Sequence, residues 1–368
     1  MRDMFMTDKS MSRITLVVSY LISKQVLNIL EEMAIPLAFW QYARRDLLNF
    51  NSVFAKIFGR PKAENERMEE FIIYVPANLE HAFYQKIIHD LDLTTPGRGS
   101  LYCQTVSTYA DEELAFETSK FQSEISERLT STKTHGITLI IGRGQADHIA
   151  YQVMEKGYAP PTIIFGEGMG TRDKLGLVRV TIPPEKEIMN LTTYYQDLPM
   201  LLALLRQGAH LDLPGKGFLY HYPLTFARID TKTQANLAFH MASTDQIISA
   251  IDTLMNNTDW RRKSQGHILV DASHGLTKNS QAVCLNVFVP YGIKDTAIDV
   301  AFNLGVRGAT KRYYRSLRYK DTQIQSDKDY NVYTMVMSEN LLEPVITNLK
   351  KEETLQSAWF DSYHITIN

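Results

Sequence analysis

The stretch LDLPGKGFLYHY, residues 211–222, has a counterpart in LDLTTPGRGSLY, residues 91–102. The two Leu-Asp-Leu elements lie 120 residues apart, and the two Pro-Gly-basic-Gly elements lie 118 residues apart. In both places a segment with helical spacing of apolar residues precedes the turn, and a strand-like aromatic segment follows it. Self-similarity at a fixed period predicts that one structural unit occurs more than once in the chain.

The segments around the two turns repeat in the same order. Strand, helix, strand, strand, helix and strand patterns follow one another over residues 12–110 and again over residues 135–230. Residues 281–368 repeat the order less regularly, and residues 231–280 read as an additional β-α-β unit. A β-α-β-β-α-β unit predicts a four-stranded antiparallel sheet with two helices on one face. We therefore predict an α+β protein built of tandem ferredoxin-like (βαββαβ) domains.

Composition indicates a globular protein and argues against several functions. The 368 residues are 44% hydrophobic and 22% charged, with 39 basic against 41 acidic side chains and a net charge of −2. Such a balance creates no overall field that would attract nucleic acid or an anionic membrane. Cys103 and Cys284 are far apart in apolar contexts, which favours two buried, reduced thiols and a cytoplasmic location. We find no signal peptide and no apolar window of about 18 residues, so we expect no membrane span.

Four segments together resemble a known family. They are GYAPPTIIFGEGMGT (157–171), PPEKEIMNLTT (183–193), LDLPGKGFLYHYPL (211–224) and LGVRGATKRYYRS (304–316). In this combination they resemble the PII-like signal-transduction proteins, which are small trimeric sensors of nitrogen, carbon or energy state. The resemblance implies that three PII-like copies in one chain form an intramolecular pseudo-trimer, that this pseudo-trimer is monomeric, and that it regulates a protein partner.

The resemblance also implies a set of binding residues. Members of the family bind adenine nucleotides such as ATP, ADP or AMP in clefts between subunits, so clefts between copies are the expected sites here. Ala38 stands where a threonine is expected in the first copy, so we expect at most one complete cleft. The residues that match the family's site are Thr162, Gly168, Gly170, Gly215, Lys216, Gly217 and Arg228, together with Thr310 in the third copy and Gly97, Arg98 and Gly99 in the first.

Two motifs have more than one interpretation. In PGKG (214–217), the glycines would let backbone N–H groups approach a phosphate while Lys216 supplies a positive charge. The same four residues could equally end a helix and lead into a strand. The glycine-rich segment GEGMGTRDKLG (166–176) fits a ligand loop, a partner-binding loop or a simple hairpin turn.

Two functions follow from these patterns. The first is a non-catalytic regulatory protein that binds a small effector and relays its presence to a protein partner. The alternative is a ligand-free structural or interaction protein that keeps the PII-like trimer architecture. We identify no nucleophile, no acid–base pair and no metal-ligand set in the sequence, so we expect neither an enzyme nor a metal site.

Overall fold

The computed structural model describes residues 9–49, 62–109, 114–121, 133–170, 185–232, 280–293 and 295–368. Its strands and helices follow the same order in three segments, which we call unit 1 (residues 9–108), unit 2 (residues 134–228) and unit 3 (residues 280–367). Most of the additional unit predicted at 231–280 and the distal half of the glycine-rich segment 166–176 lie outside the described residues.

Within the described residues, each unit has two α-helices and at least four strands. Unit 1 contains β1 (Lys9–Ser19), α1 (Ser23–Glu32), β2 (Leu37–Asn49), β3 (Lys62–Pro76), α2 (Glu80–Asp90) and β4 (Gly99–Thr108). Unit 2 contains β5 (Thr134–Gly142), α3 (Ala146–Glu155), β6 (Thr162–Gly170), β7 (Glu185–Tyr194), α4 (Leu198–Gly208), β8 (Gly217–Leu224) and β9 (Phe226–Arg228). Unit 3 contains β10 (Ser280–Pro290), α5 (Thr296–Asn303), β11 (Gly308–Lys320), β12 (Gln323–Met337), α6 (Glu339–Lys351) and β13 (Trp359–Ile367).

The predicted fold class is wrong. We expected tandem small ferredoxin-like domains with separate four-stranded sheets, but the strands of all three units join in one 13-stranded antiparallel sheet. Its strand order is β11-β12-β10-β13-β8-β5-β7-β6-β2-β3-β1-β4-β9, and further pairings link β11 to β6 and β2 and link β13 to β4. The chain therefore does not divide its sheet into independent domains.

The continuous sheet arises because the outer strands of each unit find partners in the other units. Thr162 of β6 pairs with Arg45 of β2, and Thr310 of β11 pairs with Gly168 of β6. An unpaired outer strand would leave a row of backbone N–H and C=O groups without partners. Alternating apolar residues specify which face of a strand is buried, but they do not specify which strand lies alongside it.

The sheet buries apolar side chains on both faces. On one face, alternate residues of β1, including Ile14 and Leu16, pack under the helices of unit 1, and units 2 and 3 have corresponding helix-covered cores. On the other face, side chains of all three units meet in a shared core. There the rings of Phe39 and Phe288 lie 4.3 Å apart between their centroids. This shared core binds the units to one another.

Within the part of the chain that the structure describes, no helix is long and apolar enough to cross a membrane. Cys103 and Cys284 are both fully buried and unpaired.

Candidate functional site

The two Pro-Gly-basic-Gly motifs form turns with closely similar backbones, which differ at the last glycine, where Gly99 has a φ of 149° and Gly217 has no positive φ. We call residues 91–99 turn 1 and residues 209–217 turn 2. Gly97 in turn 1 and Gly215 in turn 2 have φ angles of 95° and 79°, a region that residues with a side chain rarely adopt. The second residue of each turn, Asp92 or His210, also has a positive φ, of 48° and 53° respectively. The repeated sequence therefore specifies a repeated backbone.

The backbone hydrogen bonds of the two turns agree as well. The N–H of Thr95 donates to the carbonyl of Asp92 at 3.0 Å, and the N–H of Leu213 donates to the carbonyl of His210 at 3.0 Å. A longer bond of 3.4 Å follows in both turns, from Arg98 N–H in turn 1 and from Lys216 N–H in turn 2. Both turns thus end a helix and lead into a strand, as the structural interpretation of the motif predicts. The N–H groups of Gly97 and Gly215 occupy equivalent positions in the two turns.

Turn 1 holds an anion that the chain supplies itself. The N–H of Gly97 donates to Oδ1 of Asp230 at 2.8 Å, although 133 residues separate them in sequence. The other carboxylate oxygen accepts a hydrogen bond from Nη1 of Arg45 at 2.5 Å. Arg45 also donates from Nε to Glu66 at 2.6 Å and from Nη2 to the carbonyl of Gly97 at 3.1 Å. The guanidinium of Arg45 therefore bridges the turn and the carboxylate that occupies it.

This ion pair is buried. Only 4% of the Arg45 side chain and 3% of the Asp230 side chain are exposed. Burial disfavours the charge on Arg45, but the nearby carboxylates of Asp230 and Glu66 outweigh that effect and raise the pKa of Arg45. Both charges therefore depend on each other, because either one alone would be desolvated without compensation.

Arg98 and Lys216 occupy equivalent positions but have different surroundings. Nε of Arg98 donates to the carbonyl of Leu91 at 2.5 Å, and its Nη2 contacts Gln25 at 3.4 Å. Arg98 thus satisfies a carbonyl at the end of α2, as basic residues near helix C-termini commonly do. Lys216 is exposed, and no described residue forms an ion pair with it.

Turn 2 is exposed where turn 1 is covered. A side-chain carbon added to Gly215 would have no heavy atom within 4 Å, whereas one added to Gly97 would meet the Lys232 side chain at 2.7 Å. Among the described residues no side chain is hydrogen-bonded to the N–H of Gly215. Gly217 begins β8 and pairs with Ile141, as Gly99 begins β4 and pairs with Val18.

The residues predicted for the first and second copies meet in part at turn 1. Thr162 lines a cavity together with Arg45, Ser100, Tyr102 and Asp230. Its volume is about 20 Å³, close to the space that one water molecule needs, about 10–15 Å³. In this conformation the space beside Thr162 is too small for a nucleotide.

Arg228 also lies at turn 1 rather than at turn 2. Its Nε donates to the carbonyl of Leu93 and its Nη2 to that of Thr94, both at 3.2 Å. The Arg228 side chain therefore fixes β9 to the helix end of unit 1. Lys216 and Gly215, which precede it in the same unit, lie in the other turn.

The remaining predicted residues belong to the sheet. Gly168 and Gly170 are part of β6, which continues through the first half of the predicted loop, and they pair with Thr310 and Gly308 of β11. Thr310 is 7% exposed and faces a polar cavity of about 20 Å³ in the shared core. Neither pair contacts turn 2 through any hydrogen bond among the described residues.

That second cavity is lined by Arg13, Arg312 and Glu70, and their hydrogen bonds extend to groups beyond the lining. Nη1 of Arg13 lies 3.3 Å from Oδ1 of Asp361, and Nη1 of Arg312 donates to the hydroxyl of Tyr314 at 2.9 Å. The Tyr314 hydroxyl in turn donates to Glu70 at 2.7 Å. Asp361 and Glu70 thus compensate the charges of Arg13 and Arg312 within the shared core, although Nε of Arg13 is buried without a hydrogen-bond partner.

Sequence reasoning missed Asp230, whose carboxylate occupies turn 1, and Arg45, which pairs with that carboxylate. Asp230 follows Arg228 by two residues in FARID (226–230), and Arg45 lies in the charged stretch RRD (44–46) within the strand LAFWQYARRDLLN (37–49). Charged side chains are almost never fully buried without a partner. The sequence does not say which partner, since the two residues are 185 positions apart.

Comparison with known proteins identifies no family for this chain. No protein-family model and no curated protein sequence matches this chain. Among the described residues no group of three or more His, Cys, Asp or Glu side chains is arranged to hold a metal ion.

Proposed function

We propose that this protein is a non-catalytic regulatory protein of the cytoplasm that binds an adenine nucleotide of the ATP, ADP or AMP class at turn 2 and relays its presence to a protein partner. One observation carries the proposal. At turn 1 the N–H of Gly97 binds a carboxylate, and turn 2 presents the same backbone with no described side chain on Gly215. The resemblance to PII-like signalling proteins supports the choice of a nucleotide.

The chemistry of turn 2 suits a phosphate group. Backbone N–H groups in a turn with positive φ angles form a concave arrangement of partial positive charges that binds anions. Lys216 adds a full positive charge on a flexible side chain, in the same turn as Gly215 and Gly217. Because Lys216 is exposed and has no described ion-pair partner, its charge is available to a ligand.

Calorimetric titration of the full chain with ATP, ADP and AMP tests this proposal. We expect one of them to bind, and we expect Lys216→Ala to weaken that binding about tenfold or more, equivalent to about 1.4 kcal/mol or more. Arg98→Ala is the matched control, because Arg98 occupies the same position in turn 1 but caps a helix carbonyl. It should leave the affinity unchanged. If none of the three nucleotides binds the folded protein, the proposal is wrong.

A second function has an observation of its own. Asp230 already fills the anion position of turn 1, and the neighbouring cavity of about 20 Å³ has no room for a nucleotide. These features favour a structural or interaction protein in which glycine turns serve to join units without a ligand. An absence of nucleotide binding, together with capture of a partner protein that survives Lys216→Ala, would favour this second function.

A further inference from the structure

We propose that turn 1 is an anion-binding site that the chain fills with its own Asp230 carboxylate, and that the site accepts a small external oxyanion when this carboxylate is removed. The proposal goes beyond the function assigned to turn 2 and does not depend on it. It concerns a different turn, different donors and a different occupant.

Three donors converge on the Asp230 carboxylate. The N–H groups of Gly97 and Lys232 donate to Oδ1 at 2.8 and 3.0 Å, and Nη1 of Arg45 donates to Oδ2 at 2.5 Å. Two backbone donors and one guanidinium form the kind of arrangement that holds phosphate or carboxylate ligands in proteins. The donors come from unit 1 and from the segment after unit 2, so the carboxylate joins these two parts of the chain.

The carboxylate reaches turn 1 because the segment that carries it is anchored. We call residues 225–232 the strap. The Phe226 ring stacks on Tyr84, with a centroid separation of 4.0 Å and an interplanar angle of 1°. Residues Phe226–Arg228 pair with β4, and Arg228 donates to two carbonyls of turn 1. Asp230 is therefore delivered by a segment whose position does not depend on its own hydrogen bonds alone.

Only the carboxylate would be lost if Asp230 became alanine, and the donors around it would remain. Gly97 belongs to a turn whose conformation is repeated in turn 2, where no strap residue is bound among those described. Arg45 stays paired to Glu66 at 2.6 Å. The Asp230→Ala variant should therefore contain a buried space the size of one carboxylate. The N–H groups of Gly97 and Lys232 and Nη1 of Arg45 would border this space without an acceptor, which lowers the stability of the variant until an anion enters.

Thermal unfolding in formate tests the proposal, because formate has the size of the deleted group. The Asp230→Ala change is made in a Lys216→Ala background, so that turn 2 does not contribute. We expect formate to raise the melting temperature of this variant by about 2 °C or more above its value in chloride of equal ionic strength. Inorganic phosphate in place of formate reports whether the site also accepts a larger oxyanion.

Asp230→Asn in the same background is the matched control, since its amide fills the space of the carboxylate. We expect no difference between formate and chloride for this control. Equal melting temperatures of Asp230→Ala in formate and chloride would overturn the proposal, as would an equal response of the two variants. If Asp230→Ala does not fold in chloride, recovery of the folded state in formate supports the proposal, and no recovery overturns it.

Discussion

Turn 1 and turn 2 share a backbone but differ in what surrounds it. Both have a glycine with positive φ, at Gly97 and Gly215, and both form the same sequence of backbone hydrogen bonds. Turn 1 is covered by the strap, and its N–H binds Asp230. Turn 2 is exposed and presents Lys216. The glycine motif therefore specifies the turn, whereas a residue distant in sequence decides whether the turn is occupied.

The difference extends to the basic residue of each motif. Arg98 satisfies a carbonyl of turn 1, so its charge serves the stability of the helix end. Lys216 has no ion-pair partner among the described residues. The two copies of the motif therefore fit different interpretations of the sequence. Turn 1 has a structural role, and turn 2 keeps the exposure that a binding role requires.

The largest expected effect comes from breaking the ion pair at turn 1. Arg45→Met would leave the buried carboxylate of Asp230 without its cation, and removing one member of a buried pair costs about 3–5 kcal/mol. Lys216→Met at turn 2 removes an exposed charge, so its effect should stay within about 0.5 kcal/mol. Urea unfolding of both variants measures the difference. Equal losses of unfolding free energy would contradict the view that only turn 1 is filled.

A smaller effect is expected from the residue next to Arg45. Burial raises the pKa of Asp46 from 3.8 to about 6, despite the ion pair with Arg44, and the carboxylates of Asp147 and Glu187 add to the rise. The folded state therefore binds the proton more tightly than the unfolded state. The proton bound to Asp46 therefore contributes fully to the free energy of unfolding below pH 3.8, and this contribution is lost as the pH rises through about 6.

Asp46→Asn tests this pH dependence, because the amide cannot titrate. The stability of the variant relative to the natural chain should increase by about 2–3 kcal/mol between pH 4 and pH 7. The natural chain also contains His221, whose pKa burial lowers to about 4, so only the difference between the two proteins isolates Asp46. A difference that stays constant from pH 4 to pH 7 would contradict the assignment.

Local features of the fold could be predicted from the sequence, and long-range pairings could not. The motif spacing predicted two similar turns, since Gly97 and Gly215 are fixed by neighbours within the same unit. The pairing of Thr162 with Arg45 and of Thr310 with Gly168 joins different units and left no periodic signal. The prediction of separate small sheets failed for this reason, because strand periodicity reports burial and not the identity of the neighbouring strand.

In the candidate site, too, the local features could be predicted from the sequence and the long-range contacts could not. Lys216 and the glycines around it could be named from the motif alone. The occupancy of turn 1 depends on Arg45, which lies on β2 of the same unit, and on Asp230, which is 133 residues from Gly97 in sequence and follows the strand β9 that pairs with β4. An isolated charged residue gives no indication of its partner in a single sequence, so the occupied turn could be found only from the structure.

The smallest expected difference between the two turns comes from substituting their glycines. Alanine at either Gly97 or Gly215 must adopt a positive φ, which costs about 1–2 kcal/mol. At Gly97 the added carbon would also lie 2.7 Å from Cδ of Lys232, so the Lys232 side chain must move away, whereas Gly215 has no heavy atom within 4 Å of that position. We therefore expect Gly97→Ala to lower the unfolding free energy more than Gly215→Ala, by about 1 kcal/mol. Urea unfolding of both variants at one pH measures this. A larger loss at Gly215 would mean that turn 2, and not turn 1, carries the closer contacts, and the comparison between the two turns would have to be reversed.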